Sequence, residues 1–368
     1  MSLDLSAHLT ATAEARRQIE ICNACRYCEG FCAVFPAMTR EKAFADGDLT
    51  HLANLCHNCR GCYYSCQYTE PHEFALNIPA ALAEVRQESW ERLVGPAAFS
   101  RAFHENGVAM AGAMVLGIAA LFGLIATLPE GEGAGFYAFM SHNAMVALFL
   151  PAFLLPLAAV GVGVGRYWRE VGAGRATLGD LTAALLAAGR MKNLSGGQGQ
   201  GCNFEREDRY SDARRHCHQA VMWGFLLCFA ATSTATLMHY LLAWPAPYPP
   251  LSPPKLLGVP GGVLMVAGAL GLVWLKTRAD RALGAARVWG GEMAFILLLA
   301  FVAASGLALY AVSGTAAVPV LLALHLGSVL TLFLLLPYTK MVHGFFRLAA
   351  LVAEEAMKRR TPVSSGGE

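Results

Sequence analysis

The chain is 368 residues long, 55% hydrophobic and 15% charged, and its 28 basic side chains nearly balance 26 acidic ones. The formal charge of +2 gives no basic surface of the kind that nucleic acid binding demands. Residues 1–20 are polar and charged, so no cleavable signal peptide is expected at the start.

The first element with chemistry is a pair of cysteine runs. Cys22, Cys25, Cys28 and Cys32 are spaced C-x2-C-x2-C-x3-C, and Cys56, Cys59, Cys62 and Cys66 repeat that spacing. This is the ligand run of a ferredoxin carrying two 4Fe–4S clusters. Zinc sites favour separated cysteine pairs, and a disulfide framework needs an oxidising compartment. In the ferredoxin pattern three thiolates of a run bind one cubane and the fourth crosses to the other. By that analogy cluster A takes Cys22, Cys25, Cys28 and Cys66, and cluster B takes Cys56, Cys59, Cys62 and Cys32. The proline that commonly follows the fourth cysteine is replaced here by Ala33 and Gln67. Leu49, Leu52, Ala53 and Leu55 recur at helical spacing before Cys56, and further helices are expected near 9–21 and 79–94. Residues 1–95 therefore read as a helical ferredoxin domain rather than a compact β-rich one.

From about residue 107 the composition turns apolar, and a membrane-crossing helix needs about 20 such residues. Six segments qualify: 107–128, 142–165, 219–244, 256–275, 290–312 and 317–337. The fourth is the weakest, because Pro260, Gly261 and Gly262 interrupt its first turns. A soluble helical core would require charged faces that these segments lack. The 129–141 and 313–316 loops carry no Lys or Arg and 245–255 carries only Lys255. By contrast, nine basic residues fall in 166–218, four in 276–289 and five after residue 337. Basic loops stay inside, so both termini and the cysteine domain are expected in the cytoplasm, with the spans in a bacterial inner membrane. That placement suits cluster thiolates. The glycine-rich stretch at 196–201 lacks the strand–helix context of a phosphate cradle and reads as flexible loop.

Ionisable side chains in spans are costly and usually functional. His325 and His343 are 18 residues apart, five whole helical turns and about 27 Å, which sets one near each side of the bilayer on a common face. His218 and His239 bracket the third span, 21 residues and roughly 31 Å apart. Matching depths pairs His218 with His343 on the cytoplasmic side and His239 with His325 on the far side. Each pair of imidazoles on facing helices is suited to a haem iron, and His216 or His142 could replace a third-span partner. Cys202, Cys217 and Cys228 are expected to be non-ligands.

Four stretches carry a resemblance across nearly the whole chain. CNACRYCEGFCAVFPAM and LANLCHNCRGCYYSCQYTEPHEFALNIP resemble the tricarballylate and citrate utilization protein B family, as do RRHCHQAVMWGFLLCFAAT and LPYTKMVHGFFR. In that family a membrane iron–sulfur protein reoxidises the reduced FAD of a soluble dehydrogenase, which converts tricarballylate to cis-aconitate. The last stretch also resembles the final helix of nitrate reductase gamma and heterodisulfide reductase membrane subunits. These carry two haems b on histidines in the relative position of His325 and His343.

The sequence thus predicts an all-α protein: a two-cluster helical ferredoxin domain (1–95), a six-helix haem-binding membrane bundle of cytochrome b type (96–345, with cytoplasmic loop 166–218) and a cytoplasmic tail (346–368). The resemblance implies electron transfer from a soluble FAD-dependent tricarballylate dehydrogenase, through two 4Fe–4S clusters and haem b, to membrane quinone. The chain would be the electron-transfer subunit, with the dehydrogenase chemistry in its partner. An anchor for a different flavoprotein, or for a heterodisulfide- or nitrate-reductase-like complex, is the alternative. A transporter has no use for eight cluster cysteines, and a redox sensor has none for histidines at matched depths.

Overall fold

The computed structural model describes residues 10–125, 141–196, 199–205, 208–244 and 246–360. The end of the first expected span, most of the 129–141 loop, the start of the 9–21 helix and residues 361–368 lie outside the described residues. Among the described residues the fold is all-helical, with one isolated β-bridge between Cys202 and Ser211.

Helix α1 (Ala11–Cys25) begins where the Thr10 side chain accepts from the Ala13 amide. Then come α2 (Val34–Met38), α3 (Asp46–Leu55), α4 (Gly61–Tyr64) and α5 (Ile78–Val94), the last capped by Asn77 with Pro79 in its first turn. Ala15 and Ile19 of α1 meet Leu49 and Leu52 of α3 and Leu82 and Val85 of α5, all almost fully buried. The leucine spacing before Cys56 therefore does build a helical domain.

The chain continues through α6 (Ala97–Ile125), α7 (His142–Glu170), the shorter α8 (Leu178–Arg190), α9 (Ala213–Leu242), α10 (Pro253–Arg278), α11 (Trp289–Ala311), α12 (Val318–Leu335) and α13 (Val342–Arg360). Six stretches are long and apolar enough to cross a membrane: α6, α7, α9, α10, α11 with the turn before it, and α12 with the turn after it. Half of the apolar window is buried in each of the last two but at most 28% in the other four, so α11 and α12 form the centre of the bundle. Leu116, Leu155, Leu237, Leu241 and Val320 point outward, each more than half exposed, which only lipid can cover at low cost.

Three differences from the sequence reading have physical causes. Helix α6 starts ten residues early, at Ala97, because a kink at Asn106 joins an entry segment to the span. Helix α10 runs unbroken through Pro260, and its glycines are packing sites. A Cβ on Gly261 would lie 2.8 Å from Leu227 Cβ and one on Gly224 would lie 2.7 Å from the Gly261 carbonyl oxygen, so glycine lets α9 and α10 touch backbone to backbone. Finally, no single helix joins His325 to His343. Helix α12 gives way to a 3-10 turn at Leu336–Tyr338, where Pro337 supplies no amide, and α13 starts afresh at Val342. The 18-residue register is thus not what places His343.

Helix α13 runs through position 345/346 and packs against α3, α7 and α8. Its Glu354, 1% exposed, accepts from both Arg40 nitrogens (2.7 and 2.5 Å) and from His51 Nε2 (3.1 Å). His51 Nδ1 in turn meets the hydroxyl of the fully buried Tyr167 of α7 at 3.0 Å. A second tie joins α5 to α7, with Arg92 donating twice to Glu170 at 2.7 Å and Thr50 once at 2.9 Å. These contacts fasten the N-terminal helical domain to α7 and α13.

Burial alone would raise the Glu354 carboxyl, but the hydrogen bonds from His51 and Arg40 outweigh it and hold the carboxyl at about 2, below its ordinary 4.5. A depressed carboxylate stabilises the fold above its unfolded pKa, and that contribution is lost as pH falls through the folded value. Docking of α13 should therefore weaken progressively between pH 4.5 and about 2. Glu354→Gln is expected to cost about 3–5 kcal/mol of stability, the range for removing one partner of a buried pair. It should also abolish that acid dependence. Thermal unfolding of parent and variant across this pH range checks it, and a variant within about 0.5 kcal/mol of the parent would contradict the role assigned to this carboxylate.

Candidate functional site

The last turn of α1 carries Cys22 and Cys25. Arg26 then takes a left-handed φ of 58°, which reverses the chain toward Cys28. Cys66 arrives from beyond α4. Together with Cys62, Tyr63, Tyr68 and Ile78, these four thiols line a cavity of about 220 Å³. In the second run Cys56 ends α3, Asn58 and Arg60 are left-handed (φ 52° and 68°), and Cys62 lies in α4. Cys32, Cys56, Cys59 and Cys62 line an adjoining space of about 20 Å³ with Phe35, His57 and Pro79. Cys66 thus stands with the first three cysteines of the first run, and Cys32 with those of the second. Three non-glycine residues held at positive φ are local strain, accepted where the chain must curl its thiols inward.

The thiols' chemistry fits iron–sulfur clusters. Backbone amides point at the sulfurs: Tyr68 N lies 3.3 Å from Cys66 Sγ, Asn58 N 3.4 Å from Cys56 Sγ, and Val34, Phe35 and Gly61 supply others to Cys32 and Cys59. Burial, reinforced by the neighbouring cysteines, pushes the Cys22 thiol up to about 12 and Cys28 to about 11. Burial likewise holds Cys32 and Cys62 well above the usual thiol range. Such a cluster of thiols ionises only when metal takes the place of the protons.

The two rings differ in exposure. Cys25 is exposed and its neighbour Tyr27 is 73% exposed, whereas Cys56 is buried. A strap from the loop after α8 covers the second ring. Asn203 donates to the Cys59 carbonyl at 2.9 Å, and the Phe204 ring is held between the guanidinium groups of Arg60 (4.6 Å) and Arg214 (4.2 Å). The described part of the glycine-rich stretch, 196 and 199–201, leads into this strap, and residues 197–198 lie outside the described residues. Gly201 sits at φ 96°, where a Cβ would meet the Ser211 backbone at 2.5 Å.

The histidines fall into three settings. His218 of α9 and His343 of α13 come together, ring centroids 5.6 Å apart with planes at 86°. His343 Nδ1 donates to the Lys340 carbonyl, leaving Nε2 free to ligate, and His218 Nδ1 is buried without a hydrogen-bond partner. An iron between two imidazoles, with metal–nitrogen bonds of about 2 Å, would hold their centroids roughly 6 Å apart. The centroid separation of this pair is close to that spacing. His239 instead stacks on His142 of α7 at 4.3 Å, and His142 Nε2 meets the Tyr240 hydroxyl at 2.8 Å. Rings that close leave no room for an iron between them. His325 Nδ1 meets Ser305 Oγ at 3.1 Å, so the contacts of His239 and His325 run to different partners. His216 is exposed.

Sequence reasoning missed the arginines. Arg86 donates to the Cys56 carbonyl at 2.9 Å, Arg347 to the same oxygen at 2.8 Å, and Arg214 to the Asn58 carbonyl at 2.7 Å. His57, buried among these three cations, donates from Nδ1 to the Leu55 carbonyl at 2.7 Å. Burial first, and then Arg347, holds its imidazole well below the ordinary range. Arg214 and Arg347 count toward a basic cytoplasmic face in the sequence, and nothing in their spacing marks them as inward-facing.

Residues 103–365 match the family described as Citrate utilization protein B, and residues 15–91 match the Citrate utilization protein B Fer4-like domain. The chain is 43% identical over 353 residues to Citrate utilization protein B of Escherichia coli, covering 95% of this chain and 93% of that protein. No solved structure matches it.

The difference in exposure between the rings can be read chemically. In folded, metal-free protein a maleimide should label Cys25 first and Cys32, Cys56 and Cys62 last, followed by peptide mass spectrometry. Equal labelling of all eight would contradict the layered arrangement.

Proposed function

This chain belongs to the citrate utilization protein B family, and from that premise we propose that it carries electrons from a soluble FAD-dependent dehydrogenase to membrane quinone. The partner oxidises tricarballylate or a related tricarboxylate, and this chain returns the partner's reduced flavin to its oxidised state. The Fer4-like domain and six candidate spans indicate an iron–sulfur electron-transfer role at a membrane. Two 4Fe–4S clusters and haem b, when bound, supply the single-electron chemistry. Cys22, Cys25, Cys28 and Cys66 would hold one cluster, Cys32, Cys56, Cys59 and Cys62 the other, and His218 and His343 a haem. The far-side histidines, as they stand, do not fit a second haem, and no role is assigned to them.

One observation carries this reading. Arg214, which donates to the Asn58 carbonyl, is one helical turn before His218, and Arg347, which donates to the Cys56 carbonyl, is one turn after His343. Both histidine-bearing helices are thus tied, about 6 Å along each axis from the histidine, to the backbone of the second cysteine run. A soluble cluster domain with no electron acceptor in the bundle would not need that double connection. The positive-inside distribution supports a cytoplasmic N-terminal domain over 1–95 in a bacterial inner membrane, with the dehydrogenase docking on that domain or on the basic 166–218 segment.

Anaerobically purified protein is expected to contain about eight non-haem irons and to show a low-spin haem b spectrum. Stoichiometric zinc, or no haem after expression with ample haem supply, would overturn the assignment.

A second measurement tests the route in the full chain. Membranes carrying the parent should reoxidise the reduced dehydrogenase and reduce added quinone, with a rate that falls as salt screens docking. Cys59→Ser should keep the haem spectrum and lose at least tenfold in rate, while His343→Ala should lose the haem. If Cys59→Ser works at the parental rate, the proposed route past the second run is wrong.

A further inference from the structure

Four arginines surround the second cysteine ring. Arg60 and Arg86 are each 5% exposed, and Arg214 and Arg347 are partly buried. Their hydrogen bonds run to neutral acceptors: the Cys56 and Asn58 carbonyls, the Asn58 side chain (3.1 Å from Arg60) and the Phe204 carbonyl (3.0 Å from Arg60). Arg86 also reaches the Cys56 side chain. Among the described residues none of the four lies within ion-pair distance of a carboxylate, and Arg347 Nε is buried without any partner. Asp280 and Glu292 act on them only from beyond ion-pair distance, and four cations gathered in a protein interior call for a closer anion.

The first ring has one guanidinium on its cavity wall, that of the exposed Arg26. The charged groups that bear on Cys22 and Cys28 are other cysteines. Arg26 turns its guanidinium back to donate to the Asn23 carbonyl at 3.0 Å.

We propose that these arginines make the second ring the higher-potential of the two, so that it is the inner station next to His218 and His343 and the first ring is the entry. The inference rests on the reading of two iron–sulfur clusters above. A cubane held by four thiolates gains one negative charge when it takes up one electron. Burial alone disfavours that extra charge, and fixed cations nearby favour it. A guanidinium keeps its proton, and at these depths salt does not screen it. Four cations, two of them almost fully buried, stand against one added charge at the second ring, while the first ring has only the exposed Arg26 to set against its own.

The test is an anaerobic redox titration of the full-length protein in detergent, read by EPR. The parent should show two cluster signals with separated midpoint potentials. Arg86→Gln and Arg347→Gln should each move the higher midpoint downward and leave the lower one in place. Arg86→Lys and Arg347→Lys, which keep the charge but not the paired donors, should stay close to the parent, which a packing role would not allow. If a Gln variant fails to hold its cluster, Arg60→Gln, which leaves both bonds to the Cys56 carbonyl intact, carries the same expectation. Midpoints that do not move, that fall together, or that fall as far with Lys as with Gln would overturn the proposal. A parent with fewer than two cluster signals would remove the underlying reading and the inference with it, whereas two signals indifferent to the arginines would remove the inference alone.

Discussion

Gathering positive charge in a protein interior requires partners for it, and much of this architecture follows from that constraint. At an effective dielectric of about 20, two unit charges 4 Å apart interact by about 4 kcal/mol, far more than at an exposed surface. The second cysteine run is accordingly met by Arg86 from α5, Arg214 from α9 and Arg347 from α13, elements far apart in sequence that converge on the carbonyls of Cys56 and Asn58. The same economy appears at the inner ends of α10, α11 and α12, where the single carboxylate of Glu292 takes both Lys276 and Lys340. A polar layer of this kind can persist beside lipid only because nearly every member has a hydrogen-bond partner.

That layer also connects the two halves of the molecule. Glu354 joins Arg40 and His51 of the N-terminal domain to α13, and through His51 to Tyr167 of α7. Helix α13 carries His343 in its first turn, Arg347 one turn later and Glu354 two turns beyond that. One short helix therefore links the imidazole pair, the second cysteine run and the domain interface.

The membrane bundle is held by other means. Lipid gives apolar helices no reason to associate, so close approach and dispersion must supply it. Gly224 on α9 and Gly261 and Gly268 on α10 let the two backbones meet, and the proline that seemed to interrupt α10 is accommodated within it. Helices α11 and α12 then fill the centre with Phe295, Leu298, Leu299 and Leu332.

The sequence by itself determined the composition of the parts. The doubled cysteine spacing specifies its ligand chemistry, because thiolates must recur at short fixed intervals to wrap one cubane. Six long apolar segments specify helices, because a backbone in lipid can satisfy its amides only internally. The leucines before Cys56 specify a helical domain through their period. Which partners meet was decided only in three dimensions. His343 reaches His218 through a break after Pro337 and not through the continuous register that its spacing suggests. His239 finds His142, since α7 and α9 bring those ends together. The inward arginines look in sequence like any others on a basic cytoplasmic face. Periodicity and spacing record what one segment can do alone, whereas a buried charge is defined by what surrounds it, and that is contributed here by helices up to 291 residues apart.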